Sequence, residues 1–367
     1  MKVLHLVQKP QFRGAEVFTC QLATHINQSG HTASLAFVFP GPSELPFKDK
    51  IFHLNGRKER KLGDVKAWKR LAEIIKEEKP DIIQANAGDT LKYAVFSKLL
   101  FQWKQPIVFR NASTISLYIK AGWAKAWNRF FFNRVDKIIS VSNTSAADFA
   151  QLYPQFRNKI TTIPVGIEYI ESAIEEGKSN KNLIKNKGLH PALVHVGGFS
   201  YEKNHIGLIS IFEQILIKQP KAELHLVGDG PMRQQIEQLV QQKGLTNCIH
   251  FYGFQKEAIR YIQEADVLLL PSIIEGLPGV ILEAFFCKTP VVAYNVGGIK
   301  EVLMNGSTGR LIEKGDEAAF ADAVIQSYEN TDDNSCLVEN AYKLVTTEYL
   351  NTHIAKKFLK VYASVLN

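Results

Sequence analysis

Apolar residues in this chain fall in short runs, and each run is followed by a longer stretch in which they recur every three or four positions. Such runs predict strands, and the stretches between them predict amphipathic helices. In the first half the strand-like runs are Lys2–Val7, Thr32–Phe39, Lys50–Leu54, Asp81–Ala85, Pro106–Arg110, Lys137–Val141 and Lys159–Ile163, with helices at Glu16–Gln28, Asp64–Glu78 and Leu91–Phe101. The pattern breaks at the polar span 169–188, which reads as a linker. It then restarts with strands at Ala192–Val196, Glu223–Val227, Ile249–Tyr252, Val267–Leu270 and Pro290–Ala293. Helices at Ile206–Lys218, Pro231–Lys243, Glu257–Glu264 and Val280–Cys287 separate them. This alternation predicts the α/β class, with parallel sheets wound on both faces. At 367 residues the chain exceeds what one core usually organises. Two doubly wound, Rossmann-like domains facing across a cleft are expected, over 1–168 and 189–346.

Composition narrows the class. An apolar share of 46% with 22% charged residues is ordinary for a globular protein. No apolar run approaches the roughly 18 residues of a membrane span, and Met1–Val7 is too short for a signal-peptide core. The expectation is a cytoplasmic protein. Cys20, Cys248, Cys287 and Cys336 are scattered without metal-ligand spacing and read as reduced thiols. His5, His195 and His225 lie inside apolar runs, where packed strand histidines are expected, and no metal site is predicted. Charge divides unevenly. Residues 1–168 hold 25 Lys and Arg against 13 Asp and Glu, a net +12, and residues 169–367 hold 19 against 23, a net −4. The basic half could face nucleic acid, an anionic membrane surface or a phosphorylated acceptor, or be simply a solvated surface.

The chemistry concentrates in the second half. Glu275 and Glu283 bracket Gly276, Leu277, Pro278 and Gly279, in a run that reads as strand, loop and helix start. A helix N-terminus offers free amides to an anion, and a carboxylate at each end can grip hydroxyls. Phosphate flanked by hydroxyls describes a nucleotide-sugar. Val194–Ser200 enters a glycine turn followed by Glu202-Lys203-Asn204, where a lysine beside a helix start could balance a diphosphate or be a plain surface lysine. Leu226–Pro231, with Gly228, reads equally as a ligand turn or a tight connection. Tyr294–Glu301 ends another strand in paired glycines, which let a backbone approach a ligand. Four such turns, each after a strand, should share one sheet edge.

Taken in order, Glu202-Lys203-Asn204, Val227–Pro231, Ala265-Asp266-Val267, Pro271-Ser272, Glu275-Gly276 to Glu283-Ala284, Pro290–Ala293 and Gly297-Gly298 with Glu301 resemble glycosyltransferase family 4 across the C-terminal half. Gly14-Ala15-Glu16, Pro80–Ile83 and Ile163–Ile167 extend the resemblance more loosely into the first half, and Glu348–Tyr362 resembles the family's last helix. The resemblance implies a retaining enzyme of GT-B fold, with a final helix over about 347–367 crossing back to the first domain. It implies a UDP- or GDP-linked sugar as donor, a glycan or lipid-linked glycan as acceptor, and no metal. Carried over by position, Glu283 would bind the ribose diol and Glu275 the donor sugar. Lys203 would neutralise the diphosphate, and Gly276 to Gly279 would lie near sugar or phosphate. Asn111, Gly198, Gly228, Phe254, Gly14 and Arg13 complete the implied site.

The chain departs from the family at three positions. Gly198 replaces a usual arginine, for which Arg13 is the expected substitute. Asn111 replaces a usual histidine, and Val165 a usual asparagine. Residues 118–134 mix aromatics with cations on a helix, which suits a membrane interface or a partly buried helix with a basic outer face. Lys58, Arg60, Lys61, Lys66 and Lys69 add to that basic region. No nucleic-acid recognition module is visible. An inactive nucleotide-sugar-binding relative, a nucleotide-sugar epimerase of the same fold and a two-lobed solute receptor are the other readings. The absence of Gly-x-Gly-x-x-Gly after the first strand disfavours a dehydrogenase.

Overall fold

The computed structural model describes residues 1–57, 59, 63–169, 183–184, 190–329 and 331–367. Most of the predicted linker, at 170–182 and 185–188, lies outside the described residues, as do Lys58, Arg60 and Lys61. The chain divides into two compact units, Met1–Glu168 with Leu350–Asn367, and Tyr169–Tyr349.

The first unit holds a seven-stranded sheet of β1 (Lys2–Val7), β2 (Thr32–Phe37), β3 (Ile51–His53), β4 (Ile82–Ala85), β5 (Ile107–Asn111), β6 (Lys137–Ser140) and β7 (Ile160–Thr162). Its order is β3-β2-β1-β4-β5-β6-β7, and every pairing is parallel. Helices α1 (Gly14–Gln28), α2 (Val65–Glu78), α3 (Gly88–Phe101), α4 (Gly122–Phe132) and α5 (Asn143–Leu152) connect the strands. Because side chains alternate along a strand, Leu4 and Leu6 of β1 join one core with Ile83 and Phe109, while Val3 and Val7 join the opposite one with Ile82 and Val108. Continuous apolar runs were the signal for this two-sided burial.

The second unit repeats the plan with β8 (Ala192–Val196), β9 (Glu223–Val227), β10 (Ile249–Gly253), β11 (Val267–Leu270), β12 (Val291–Tyr294) and β13 (Arg310–Ile312). Its order is β10-β9-β8-β11-β12-β13, again parallel throughout. The helices are α6 (His205–Lys218), α7 (Arg233–Gln242), α8 (Ala258–Glu264), α9 (Gly279–Phe286), α10 (Glu317–Glu329) and α11 (Thr331–Glu348). The predicted strands recur within two residues at each end. Strand β13, absent from the sequence reading, is a three-residue edge strand, too short for a period to register.

The last helix, α12 (Asn351–Leu366), belongs to the first unit and packs on α1. It starts four residues later than expected, after the 18-residue α11 of the second unit. Its buried residues Ile354, Ala355, Phe358, Val361 and Tyr362 follow the helical period. Phe358 meets the Phe18 ring of α1 at 6.1 Å, and the Tyr362 hydroxyl donates to the Gln84 amide oxygen. Asn351 donates to Glu168 at 2.7 Å, which ties the incoming backbone to the end of the first segment.

Candidate functional site

Strand order reverses in the second unit at the adjacent pair β8 and β11: β8 leads outward to β9 and β10 on one side, and β11 to β12 and β13 on the other. Ligands in such sheets bind beyond the carboxyl ends of the strands where the order reverses. The loop after β8 carries Lys203 and the loop after β11 carries Glu275, one on each side of that point. Lys203 Nζ donates to Glu275 Oε1 at 2.6 Å, with side chains only 21% and 11% exposed. A pair this shielded is less screened than a surface one, and loss of either partner would strand the other charge.

Backbone contacts fasten the loops together. Asn204 takes a left-handed conformation with φ of 55°, caps α6 by accepting from the Gly207 amide, and donates its own amide to the Pro271 carbonyl at 3.1 Å. The Ile273 amide donates to the Glu202 carbonyl, and the Gly298 amide to the Gly276 carbonyl at 2.7 Å. Gly297 holds φ at +57°, and a Cβ there would run into the Glu275 carbonyl oxygen. Gly228, at φ +143°, likewise lies against the Gly197 carbonyl. These two positions need glycine because backbone meets backbone. By contrast a Cβ at Gly279 would meet nothing, so the first turn of α9 stays open above its free amides.

Glu283 stands one turn into α9. Its side chain keeps some accessible surface, yet burial pushes its pKa up to about 7, with no hydrogen bond or cation among the described residues to oppose the shift. The two glutamates of the segment are therefore unlike. Glu275 is held by a cation, while Glu283 is a carboxylate without a partner beside an open helix start.

Under the β8 turn, His195 is buried, with Nδ1 bonded to the Leu269 carbonyl at 2.8 Å. Burial, which outweighs that hydrogen bond, brings its pKa down to about 4, and nearby Lys203 pushes the same way. This matches the packed strand histidine expected from the sequence. His205, which the sequence reading passed over, stacks on Phe199 at 4.0 Å and meets His195 edge-on at 4.8 Å. Its position directly after Lys203-Asn204 was the available signal. Neutral rings there leave Lys203 as the cation of the turn.

The other expected residues fall as follows. Gly198 lies 3.6 Å, by its would-be Cβ, from the Asp229 carbonyl, and Phe254 is an exposed ring just past β10. Leu277 is buried, and Pro278 is the N-cap of α9. In the first unit Arg13 is the exposed N-cap of α1, and Gly14 opens the helix with free space around it. Asn111, at the end of β5, is buried. Its amide nitrogen donates to Ser140 Oγ at 3.3 Å and the Ser145 carbonyl at 3.4 Å, while its oxygen has no partner among the described residues. No group of three or more His, Cys, Asp or Glu residues suited to a metal ion occurs among the described residues.

The chain is similar to an N-acetyl-alpha-D-glucosaminyl L-malate synthase of Bacillus anthracis, 28% identical over 241 residues, covering 65% of this chain and 62% of that one. It is also 32% identical over 167 residues to the amylovoran biosynthesis glycosyltransferase AmsK of Erwinia amylovora, covering 43% and 41% of the two. The matches thus span less than two thirds of these relatives. Among solved structures, Anabaena Alr3699/HepE in complex with UDP-glucose superposes with a TM-score of 0.81 at 21% identity, over 99% of this chain and 100% of that one. Sucrose-phosphate synthase from Thermosynechococcus elongatus gives 0.83 at 18%, over 99% and 98%. Both likenesses show the fold, the GT-B architecture of two doubly wound units. Residues 12–169 match the family model of Glycosyltransferase Family 4, and residues 174–344 match that of Glycosyl transferases group 1. With both halves matched in order, the chain belongs to the family 4, group 1 glycosyltransferases.

Proposed function

We propose that this protein moves a sugar, with retained anomeric configuration, from a UDP- or GDP-linked donor to a glycan or lipid-linked glycan acceptor in surface polysaccharide or glycolipid synthesis. The observation that carries the reading is the Lys203–Glu275 pair at 2.6 Å beside an unpartnered Glu283 and the open start of α9. One cation, free helix amides and two differently held carboxylates match a diphosphate between two sets of hydroxyls. Glu283 accepts from the ribose diol. Glu275 accepts from hydroxyls of the donor sugar, and Lys203 turns from Glu275 to the diphosphate as negative charge collects there. The bond from the anomeric carbon to phosphate breaks while the bond to the acceptor oxygen forms on the same face. The departing phosphate oxygen takes the acceptor's proton. The protein contributes position and charge stabilisation, so neither glutamate needs to act as a nucleophile.

Arg13, Gly14 and Asn111 of the first unit are proposed as further donor contacts, each tested by its own variant. An Arg13→Ala protein with unchanged donor affinity and turnover would remove Arg13 from the site. The protein is further read as cytoplasmic and attached peripherally to the anionic inner face of the membrane. No described helix is long and apolar enough to cross a membrane. By their names, one relative is a 2-deoxystreptamine N-acetyl-D-glucosaminyltransferase and another an amylovoran biosynthesis glycosyltransferase, which supports sugar transfer as the reaction.

The test is a panel of UDP- and GDP-sugars screened by thermal shift. A donor at a hundred times its Kd should stabilise by about 2.7 kcal/mol, and one nucleotide-sugar should stand out. NMR of the product made from that donor should show the donor's anomeric configuration. Stabilisation without transfer to any acceptor would favour the inactive relative, and no stabilisation by any donor would sink the proposal.

A further inference from the structure

Between Thr90 and Val135 the sequence holds eight lysines and arginines and no aspartate or glutamate. Within that stretch Trp123, Trp127, Phe130 and Arg134 recur at spacings of four, three and four, which places them on one stripe of α4 and the turn after it. Trp123 is 77% exposed, a large apolar surface to leave in water. Trp127 stacks on Phe130 with planes 7° apart, and the Arg134 guanidinium lies over Phe130 at 3.8 Å. The stripe continues onto α3, where Phe96 touches Trp127 and Leu99 and Leu100 are about half exposed.

The stripe ends at a depression of about 270 Å³, at the edge of the sheet where β5, β6 and β7 begin, opposite the edge that carries Gly14 at the start of α1 and Asn111 at the end of β5. Lys98, Arg134 and Lys159 line it, and each already donates to a backbone carbonyl: Gln105 at 2.7 Å, Phe130 at 2.7 Å and Val135 at 2.6 Å. Those bonds hold the three cations in place around the space. The single carboxylate lining it, Asp136, accepts from the Ile107 amide, and no ion pair joins it to the three cations among the described residues. Burial, with help from Lys104, lowers the pKa of Lys98 against the pull of Asp136, as expected where cations crowd.

We propose that this face docks on an anionic phospholipid bilayer, with a lipid phosphate in the Lys98–Arg134–Lys159 depression and Trp123, Trp127, Leu99 and Leu100 in the headgroup layer. Indole rings favour the interface between headgroups and chains, and lysine and arginine reach from apolar surroundings to phosphate. Nucleic acid would satisfy the cations and leave Trp123, Leu99 and Leu100 in water. A bilayer satisfies both. The inference rests on the peripheral attachment proposed above and names the surface that makes it.

The experiment is co-sedimentation of the full chain with phosphatidylcholine vesicles and with vesicles containing phosphatidylglycerol. The native protein should bind the anionic vesicles only, and less as salt is raised. Lys98→Gln and Lys159→Gln should each weaken binding about fivefold. The Trp123→Ser/Trp127→Ser pair should weaken it at least tenfold, and Lys243→Gln in the second unit should have no effect. Donor-induced thermal shift, unchanged in every variant, shows that each still folds. Failure of the native chain to bind either vesicle overturns the attachment itself. Binding that all variants share equally overturns this surface alone. Displacement by soluble glycerol phosphate would mark a free-phosphate site, and displacement by an oligonucleotide a nucleic-acid surface, and either result overturns the membrane assignment.

Discussion

Glu283 sits where burial lifts its pKa to about 7, whereas Glu275 is shielded but neutralised by Lys203 at 2.6 Å. If Glu283 grips the ribose diol, it must be ionised to accept from both hydroxyls, so donor binding releases a proton below pH 7. Donor Kd should therefore weaken about fivefold from pH 7 to pH 6 and level off above about pH 8, read by calorimetric titration. Glu283→Gln should bind about 10- to 100-fold more weakly and show no slope in that window. Stability has the opposite sign. The folded carboxyl is raised from 4.5, so its favourable share is complete below 4.5 and lost as pH rises through 7. Ligand-free Glu283→Gln should accordingly melt above the native protein at pH 8 and match it near pH 4. For Lys203, removal should lower kcat about 100- to 1,000-fold, the scale of losing one preorganised charge contact. Lys203→Met also strands Glu275 and should cost about 1–3 kcal/mol in urea unfolding. Adding Glu275→Gln should restore most of that stability and none of the activity. A double variant as unstable as the single would show that the pair does not couple.

At the scale of elements, the site depends on loops that hold one another through backbone contacts. Gly297 combines a positive φ with contact against the Glu275 carbonyl, so Gly297→Ala must both strain its own backbone and push the Glu275 loop away. A cost of about 3 kcal/mol is expected in urea denaturation, with donor-induced stabilisation lost in parallel. If Gly297→Ala keeps native donor binding, the loop after β12 does not set the position of Glu275. The seat of α12 is the other junction that one side chain can test. Phe358 is fully buried against Phe18, and Phe358→Ala should cost about 3–5 kcal/mol. On the same face the Arg110 guanidinium lies fully buried over the Phe18 ring at 4.3 Å, with Nε and Nη1 unpaired among the described residues. Burial lowers its pKa to about 10, and Glu16 opposes the change. Loosening α12 there would expose a charged layer and invite water into the core.

For the whole molecule, each unit has its own sheet and core, yet the first unit is assembled from both ends of the chain. Deleting residues 351–367 should unfold the first unit and leave the second, which ends at Tyr349, with a cooperative transition. Calorimetry of the native chain should resolve two transitions, the second unit's rising with donor, and the truncated chain should keep only that one. A truncated chain with both transitions intact would show that α12 is an accessory. The charge contrast, +12 over residues 1–168 and −4 over the remainder, belongs to this scale as well. It gives the first unit the positive field that draws an anionic surface.

The sequence by itself determined the α/β class, every strand of both sheets except the short edge strand β13 to within two residues, the restart of the pattern near residue 190 and the glycine turns of the second half. Those properties follow from local periodicity and from glycine and proline placement, which neighbouring residues alone express. Tertiary structure decided which turns meet. Lys203 and Glu275 are 72 positions apart, and only the reversal of strand order between β8 and β11 brings them to 2.6 Å. It also decided which of two similar glutamates lacks a partner, since desolvation depends on what packs around a carboxylate. It collected Lys98, Arg134 and Lys159 around one depression from three separate elements. Burial and long-range proximity are sums over the whole packed chain, and no window of sequence contains them.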